Sequence, residues 1–171
     1  MFEIREAKPE EYQELGTLMV QVYSGLEGFP SPAEIPDYYN RLQNVGEFTK
    51  DPKTKLFVAV SEAGKVEGGL VYFGDMRFYG AGGEATLSQN AGAFRLLAVN
   101  PATRGQGLGK KLIRACIDQA RREGFNYLLI HSTKYMMTAW KMYERMGFEK
   151  FPEIDFEEAG VHVHGFRYKL I

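Results

Sequence analysis

Hydrophobic positions along the chain change period several times, and each change marks an element. The opening FEIREA reads as a short first strand. From Pro9 the period lengthens: Tyr12, Leu15, Met19 and Val22 recur at helical spacing. Pro9, Glu10 and Glu11 suit the first turn of that helix, and Gly25 suits its end. The next stretch, EGFPSPAEIPDYYNRLQNVGEF, is less regular. Ser31 and Glu34 fit a capping box that Pro36 interrupts, so short helical pieces are expected. In KLFVAVSEAGKVEGGLVYFGD two β-rich runs flank a turn containing Gly64, the pattern of a hairpin. The polar, glycine-rich MRFYGAGGEATLSQNAG then reads as a mobile loop able to cover a site.

The second half repeats strand and helix in alternation. In AFRLLAVN, Phe94 and Leu96 share one face while Leu97 and Val99 share the other. Either a β-bulge shifts the phase at the adjoining leucines or the strand is buried on both faces. A helix from Leu108 to about Glu123 carries Leu108, Leu112 and Cys116 on one stripe, with Ile113, Ile117 and Ala120 beside it, and Gly124 closes it. YLLIHST is the following strand, so strand, helix and strand make a βαβ unit with parallel strands. A second helix places Met136, Ala139, Trp140, Tyr143 and Met146 on one face and stops at Gly147–Phe148. The tail VHVHGFRYKLI is a last strand that changes phase at Gly165.

Composition narrows the class. The chain has 171 residues, suited to a single domain over 1–171, with 44% hydrophobic and 25% charged residues. Its 21 basic residues against 22 acidic ones give a net charge of −1, without the basic excess of a nucleic-acid binder. One cysteine excludes an internal disulfide framework and suits a reducing compartment. The charged N-terminus is unlike a secretory signal, and no apolar run nears the roughly 20 residues that span a bilayer. A cytoplasmic protein without membrane or nucleic-acid partners is expected.

The chemistry concentrates in RGQGLGKK, residues 104–111. A Walker A loop would need glycine where Arg104 stands and a hydroxyl where Lys111 stands. A dinucleotide fingerprint would need its third glycine one residue later and a βαβ unit ahead of it. What does fit is Arg-x-x-Gly-x-Gly, filled by Arg104, Gly107 and Gly109, between a strand and a long helix. Glycines let backbone N–H groups approach an anion, and the helix dipole adds favourable charge. A tight turn with a solvated basic edge is the plainer alternative. The second helix adds AWKMYERMGF, in which Ala139, Tyr143, Gly147 and Phe148 form an Ala-x-x-x-Tyr block followed by Gly-Phe. Over roughly residues 55 to 150 these two blocks resemble the GCN5-related N-acetyltransferase (GNAT) family.

That resemblance implies an α/β fold: a central mixed, twisted sheet of about six to seven strands flanked by helices, with parallel strands four and five splayed apart. It implies an acyltransferase that moves the acetyl group of acetyl-CoA to a primary amine by direct attack in a ternary complex. The alternative on the same fold is a non-catalytic acyl-CoA-binding or sensing module. Pantetheine would bond the backbone around Leu97, Ala98 and Val99, and the diphosphate would lie on Arg104, Gly105, Gln106, Gly107, Leu108, Gly109 and Lys110. Tyr143 would protonate the departing thiolate. Met136 stands where relatives carry Asn, so a polar cofactor contact is either missing or supplied by Ser132 or Thr133, with Met136 and Ala139 beside the cofactor. The usual glutamate of the fourth strand is replaced by Ala93 and Phe94, which leaves His131 and Glu84 as candidate bases for deprotonating the amine. Phe29, Tyr38, Tyr39, Phe78 and Tyr79 fall in segments that would surround the acceptor, as pocket lining or as ordinary core, and homodimers are common among such relatives. Cys116 lies on an apolar stripe and reads as a buried, inert thiol. His162 and His164 share a strand face, but no third ligand is apparent, so no metal is expected.

Overall fold

The computed structural model describes residues 1–80 and 83–171. Its strands are β1 (Phe2–Glu6), β2 (Thr54–Ser61), β3 (Val66–Phe73), β4 (Ala91–Val99), β5 (Tyr127–Ser132), β6 (Glu149–Lys150), β7 (Phe156–Glu158) and β8 (Val161–Lys169). Four α-helices accompany them: α1 (Tyr12–Ser24), α2 (Pro36–Gln43), α3 (Leu108–Arg122) and α4 (Met137–Met146). The sheet runs in the order β1-β2-β3-β4-β5-β8-β6, with β7 also on β8. β4 and β5 are parallel, whereas β8 is antiparallel to β5, β6 and β7. This is the expected mixed α/β fold with one strand more than six or seven, because β8 collects two very short edge partners. Among the described residues no helix is long and apolar enough to cross a membrane.

The residues gather into two compact units, 1–71 with 96–115 and 72–95 with 116–171. In the first, α1 buries Leu15, Leu18, Met19 and Val22, as its spacing requires. The helix is entered through a charged clamp. Arg5 donates from both terminal nitrogens to Glu11, at 2.8 Å each, and Glu11 also accepts the Lys8 N–H at 2.8 Å. Pro36 does not break a helix here. Ser31 N–H donates to the Glu34 carboxylate at 2.7 Å, which closes an isolated turn, and Pro36 then opens α2 at a position needing no N–H.

Strand β4 resolves the phase question in two parts. Ala91 to Phe94 are all buried, so this half is covered on both faces. Leu96 then adopts a left-handed φ of 63°, and burial alternates from Arg95 onward. The parallel ladder with β5 covers Ala91↔Tyr127, Gly92↔Leu128 and Ala93↔Leu129, while β5 stays paired with β8 as far as Ser132. The two strands thus share a ladder at one end only.

In the second unit, α4 buries Trp140 and Tyr143 and ends at Gly147, whose φ of 104° suits a left-handed cap. Phe148 N–H returns to the Tyr143 carbonyl at 3.0 Å and buries its ring. Gly165 marks the point where the edge partner of β8 changes from β7 to β6. A Cβ there would fall inside Ile154 and 2.7 Å from the Phe151 carbonyl oxygen, so only glycine fits. The segment read as a mobile loop is anchored by buried Met76, Tyr79 and Ala85; Ala81 and Gly82 lie outside the described residues.

The Arg5 clamp holds the Glu11 carboxyl at about 2, down from its usual 4.5. A carboxylate favoured in the folded state stabilises fully above pH 4.5 and loses that contribution as pH falls toward 2. With partial solvent screening the contribution is about 1–2 kcal/mol. Glu11→Gln should therefore lower stability at pH 7 by that amount, and the gap to the native chain should close between pH 4.5 and 2. Urea unfolding across that range measures it; a gap independent of pH would remove the charged clamp as its cause.

Candidate active site

The glycine turn belongs to the first unit. β4 ends at Val99, and Asn100 pins the next residues in place: its backbone N–H donates to the Glu67 carbonyl at 2.8 Å and its side-chain amide donates to the Glu67 carboxylate at 2.7 Å. Glu67 itself is buried in β3. The Asn100 side-chain oxygen accepts the Ala102 N–H at 3.0 Å, which shapes the single 3₁₀ turn Pro101–Thr103. From that fixed start Arg104, Gly105, Gln106 and Gly107 are exposed. Gly105 and Gly107 take φ values of 85° and 77°, which side chains disfavour, and open space surrounds both.

Leu108 then plunges into the core at 1% exposure and begins α3, whose first helical bond runs from Lys111 N–H to the Gly107 carbonyl at 3.1 Å. The N–H groups of Leu108, Gly109 and Lys110 precede that bond and have no partner within the helix. No acidic residue occupies the first turn, and Lys110 and Lys111 are exposed beside it. Backbone donors thus stand at the positive end of a 15-residue helix.

Upstream in the same unit, Leu97 and Val99 are half-buried and Ala98 is buried. The Leu97 carbonyl accepts the Tyr23 hydroxyl at 2.9 Å. Tyr23 joins Phe29 and Tyr38 in an aromatic cluster, with ring centroids 5.8–6.3 Å apart. Two of the aromatics expected around an acceptor thus meet at Tyr23, which lies in α1 one residue after Val22.

The second unit holds the other candidates. Tyr143 is 5% exposed, and Phe94, Phe148 and Phe166 surround its ring at centroid distances of 5.7–6.4 Å. Burial pushes its phenol well above the ordinary range, so the hydroxyl is protonated at every physiological pH. Ser132, at the end of β5, is 2% exposed, and its Oγ finds no hydrogen-bond partner among the described residues. Thr133 beside it is committed to the turn, accepting the Tyr135 N–H at 3.2 Å. Met136 and Ala139 are half-buried at the start of α4.

His131 is tightly engaged. Its Nε2 lies 2.7 Å from the Ile154 carbonyl oxygen, which can only accept, so Nε2 carries the proton. Nδ1 then accepts from the Tyr79 hydroxyl at 2.9 Å. Burial lowers the basicity of this imidazole, so it rests neutral between two partners. Tyr79 is fully buried, and its carbonyl accepts from Arg95 at 3.0 Å. Glu84 is exposed, just ahead of the 3₁₀ turn Ala85–Leu87. Cys116 is fully buried in α3, and burial raises its thiol well above the usual value.

Residue reasoning missed the supports rather than the contacts. Asn100 with Pro101 marks a turn in the sequence, but nothing announces that Glu67, in strand β3, holds it. Tyr79 likewise gives no sign that it closes on His131.

Residues 19–148 match the model of the acetyltransferase (GNAT) family. The "uncharacterized N-acetyltransferase YjgM" of Escherichia coli (strain K12) is 30% identical over 115 residues, 65% of this chain and 68% of that one. Among solved structures, the PaiA N-acetyltransferase of Thermoplasma acidophilum in complex with coenzyme A superposes with a TM-score of 0.74 at 12% identity, covering 98% of this chain and 99% of that one. The structure of yncA from Salmonella typhimurium with its cofactor acetyl-CoA gives a TM-score of 0.67 at 17% identity, covering 100% and 95%. At such identities the two structures speak for the fold. The family match spans most of the chain and contains both the glycine turn and the tyrosine helix, and the chain therefore belongs to the GNAT acetyltransferase family and is an acyltransferase.

Proposed function

We propose that this protein transfers the acetyl group of acetyl-CoA to a primary amine, by direct attack of the amine on the thioester. The observation that carries the proposal is the exposed turn at 104–109, with two left-handed glycines leading into the start of α3, whose first N–H groups have no partner within the helix. Backbone donors at a helix N-terminus suit a diphosphate, and Arg104 and Lys110 add a salt-sensitive attraction. The coenzyme A and acetyl-CoA held by the two solved relatives support that choice of ligand.

The remaining roles follow from chemistry. Pantetheine is rich in amides, and the backbone of Leu97 and Val99 bonds it as a neighbouring strand would. The Leu97 carbonyl, oriented by Tyr23, keeps a second lone pair for that purpose. Ser132 Oγ, buried without a partner, takes a polar group of the bound co-substrate. Attack of the amine puts negative charge on the thioester oxygen, which backbone N–H groups near Leu97 stabilise.

Collapse of that intermediate breaks the C–S bond; the nitrogen, which turns cationic on attack, gives its extra proton to solvent, and Tyr143 gives its own proton to the leaving sulfur and regains one from solvent. A free phenol near 10 and a thiol near 8.5 are close enough for this exchange, and burial penalises both anions alike. The acceptor ammonium must first lose a proton. His131 would have to release the Tyr79 hydroxyl to accept it, whereas Glu84 is open to solvent. Glu84, directly or through water, is therefore the preferred base, and His131 holds Tyr79 in position. A cytoplasmic setting fits a thiol that stays reduced in the core.

Thiol release from acetyl-CoA, measured over a panel of small amines, polyamines and amino-terminal peptides, tests the reaction. At least one amine should give turnover, and none at all would leave a binding module instead. Tyr143→Phe should lower kcat by about 10²-fold or more with little change in KM for acetyl-CoA. Unchanged kcat in that variant would remove the proposed acid.

Ser132→Ala separates cofactor binding from folding. Removing an unsatisfied buried hydroxyl should leave thermal stability equal or slightly higher. Losing a hydrogen bond to the co-substrate should raise KM for acetyl-CoA about five- to tenfold. A normal KM with reduced stability would assign Ser132 to the fold alone.

A further inference from the structure

We propose that Asp155, His162 and His164 form a binding site for a divalent transition-metal ion of the Zn²⁺ type, on the face of the ribbon made by β7 and β8. The site is independent of the acetyl-transfer reading. His162 and His164 lie two residues apart on β8, so both side chains leave the same face. The ladder Phe156↔Val163, Glu157↔His162 and Glu158↔Val161, continued by one pair, sets Asp155 opposite His164. The third ligand thus comes from a neighbouring strand end, nine residues earlier than His164 in the chain, where no spacing rule would find it.

The donor atoms are already convergent. Asp155 is fixed by its Oδ1, which accepts the Gly165 N–H at 2.6 Å. That leaves Oδ2 facing the histidines, 2.8 Å from His162 Nε2 and 3.9 Å from His164 Nδ1. All three ligand atoms lie within 4.8 Å of one another. A tetrahedral ion with bonds near 2.0–2.1 Å needs ligand atoms about 3.3 Å apart, which the two measured separations bracket. Small side-chain rotations close the difference.

The surroundings suit an ion as well. His162 Nδ1 lies 3.0 Å from Glu157 Oε1, the outer carboxylate that commonly orients a ligating imidazole. His164 is held edge-on by Trp140, with ring centroids 4.8 Å apart. Asp155 and Glu157 balance the charge of a divalent cation, against which Lys134 and Lys150 act on His164 from a distance. His162 is 44% exposed, which gives an ion entry and leaves a coordination position for water. Imidazole nitrogen with carboxylate oxygen favours Zn²⁺, Co²⁺ or Ni²⁺ over Ca²⁺ or Mg²⁺.

Trp140 is the sole tryptophan of the chain and touches His164, so the tryptophan signal comes from a residue in contact with this site. Calorimetric titration of the metal-free protein with Zn²⁺ should show one equivalent bound, and Co²⁺ should quench Trp140 with the same stoichiometry. His162→Ala, and Asp155→Asn, which keeps an acceptor for the Gly165 N–H, should each weaken Zn²⁺ binding at least tenfold. Glu157→Gln should weaken it by about tenfold without changing the stoichiometry. Quenching that neither variant alters, or no stoichiometric binding, would reduce the cluster to a histidine–carboxylate ion pair and overturn the proposal. None of these readouts depends on acetyl transfer.

Discussion

A leucine held at φ 63° in the middle of a strand carries about 1–2 kcal/mol of backbone strain. Leu96 offsets it by burying its side chain to 7% exposure, worth about 1.5–3 kcal/mol. The first unit depends on that exchange. With it, the Leu97 carbonyl meets Tyr23, and the strand delivers Asn100 to Glu67. Glu67 is buried and doubly used, as backbone acceptor and as carboxylate. The glycine turn therefore starts from a rigid point although its own residues are exposed. A donor site of this kind requires that combination: fixed ends, and a middle free of side chains.

The second unit works by exclusion of water. Tyr79, His131, Tyr143 and Phe166 are packed among one another and their aromatic neighbours, and the polar atoms they carry are nearly all accounted for. His131 spends both ring nitrogens on Tyr79 and Ile154. In a region of low dielectric an unpaired hydroxyl is costly, which makes the partnerless Ser132 Oγ informative. The same low dielectric keeps Tyr143 a protonated donor.

Much of this was legible in residue order, because local rules and packing agreed. The apolar stripe of α3, the left-handed cap at Gly147 and the phase shift at the two leucines are all set by neighbours within a few positions. The short helical pieces expected around Pro36 are present: the capping box before it closes an isolated turn, and proline starts the eight-residue α2. The two short partners of β8 were missed because strands of two and three residues carry no periodicity. Contacts between distant segments were equally silent. Nothing in KVEGG says that its glutamate holds Asn100, and nothing in PEIDFEE says that its aspartate faces two histidines.

The placement of Cys116 bears on how such an enzyme would age. A reaction that liberates coenzyme A releases a reactive sulfhydryl beside the protein with every cycle. The chain's one cysteine is sealed inside α3 with no exposed surface, and burial keeps it in the unreactive thiol form. Neither mixed disulfides with product nor oxidative crosslinks between copies have a foothold, so activity need not decline as free thiol accumulates.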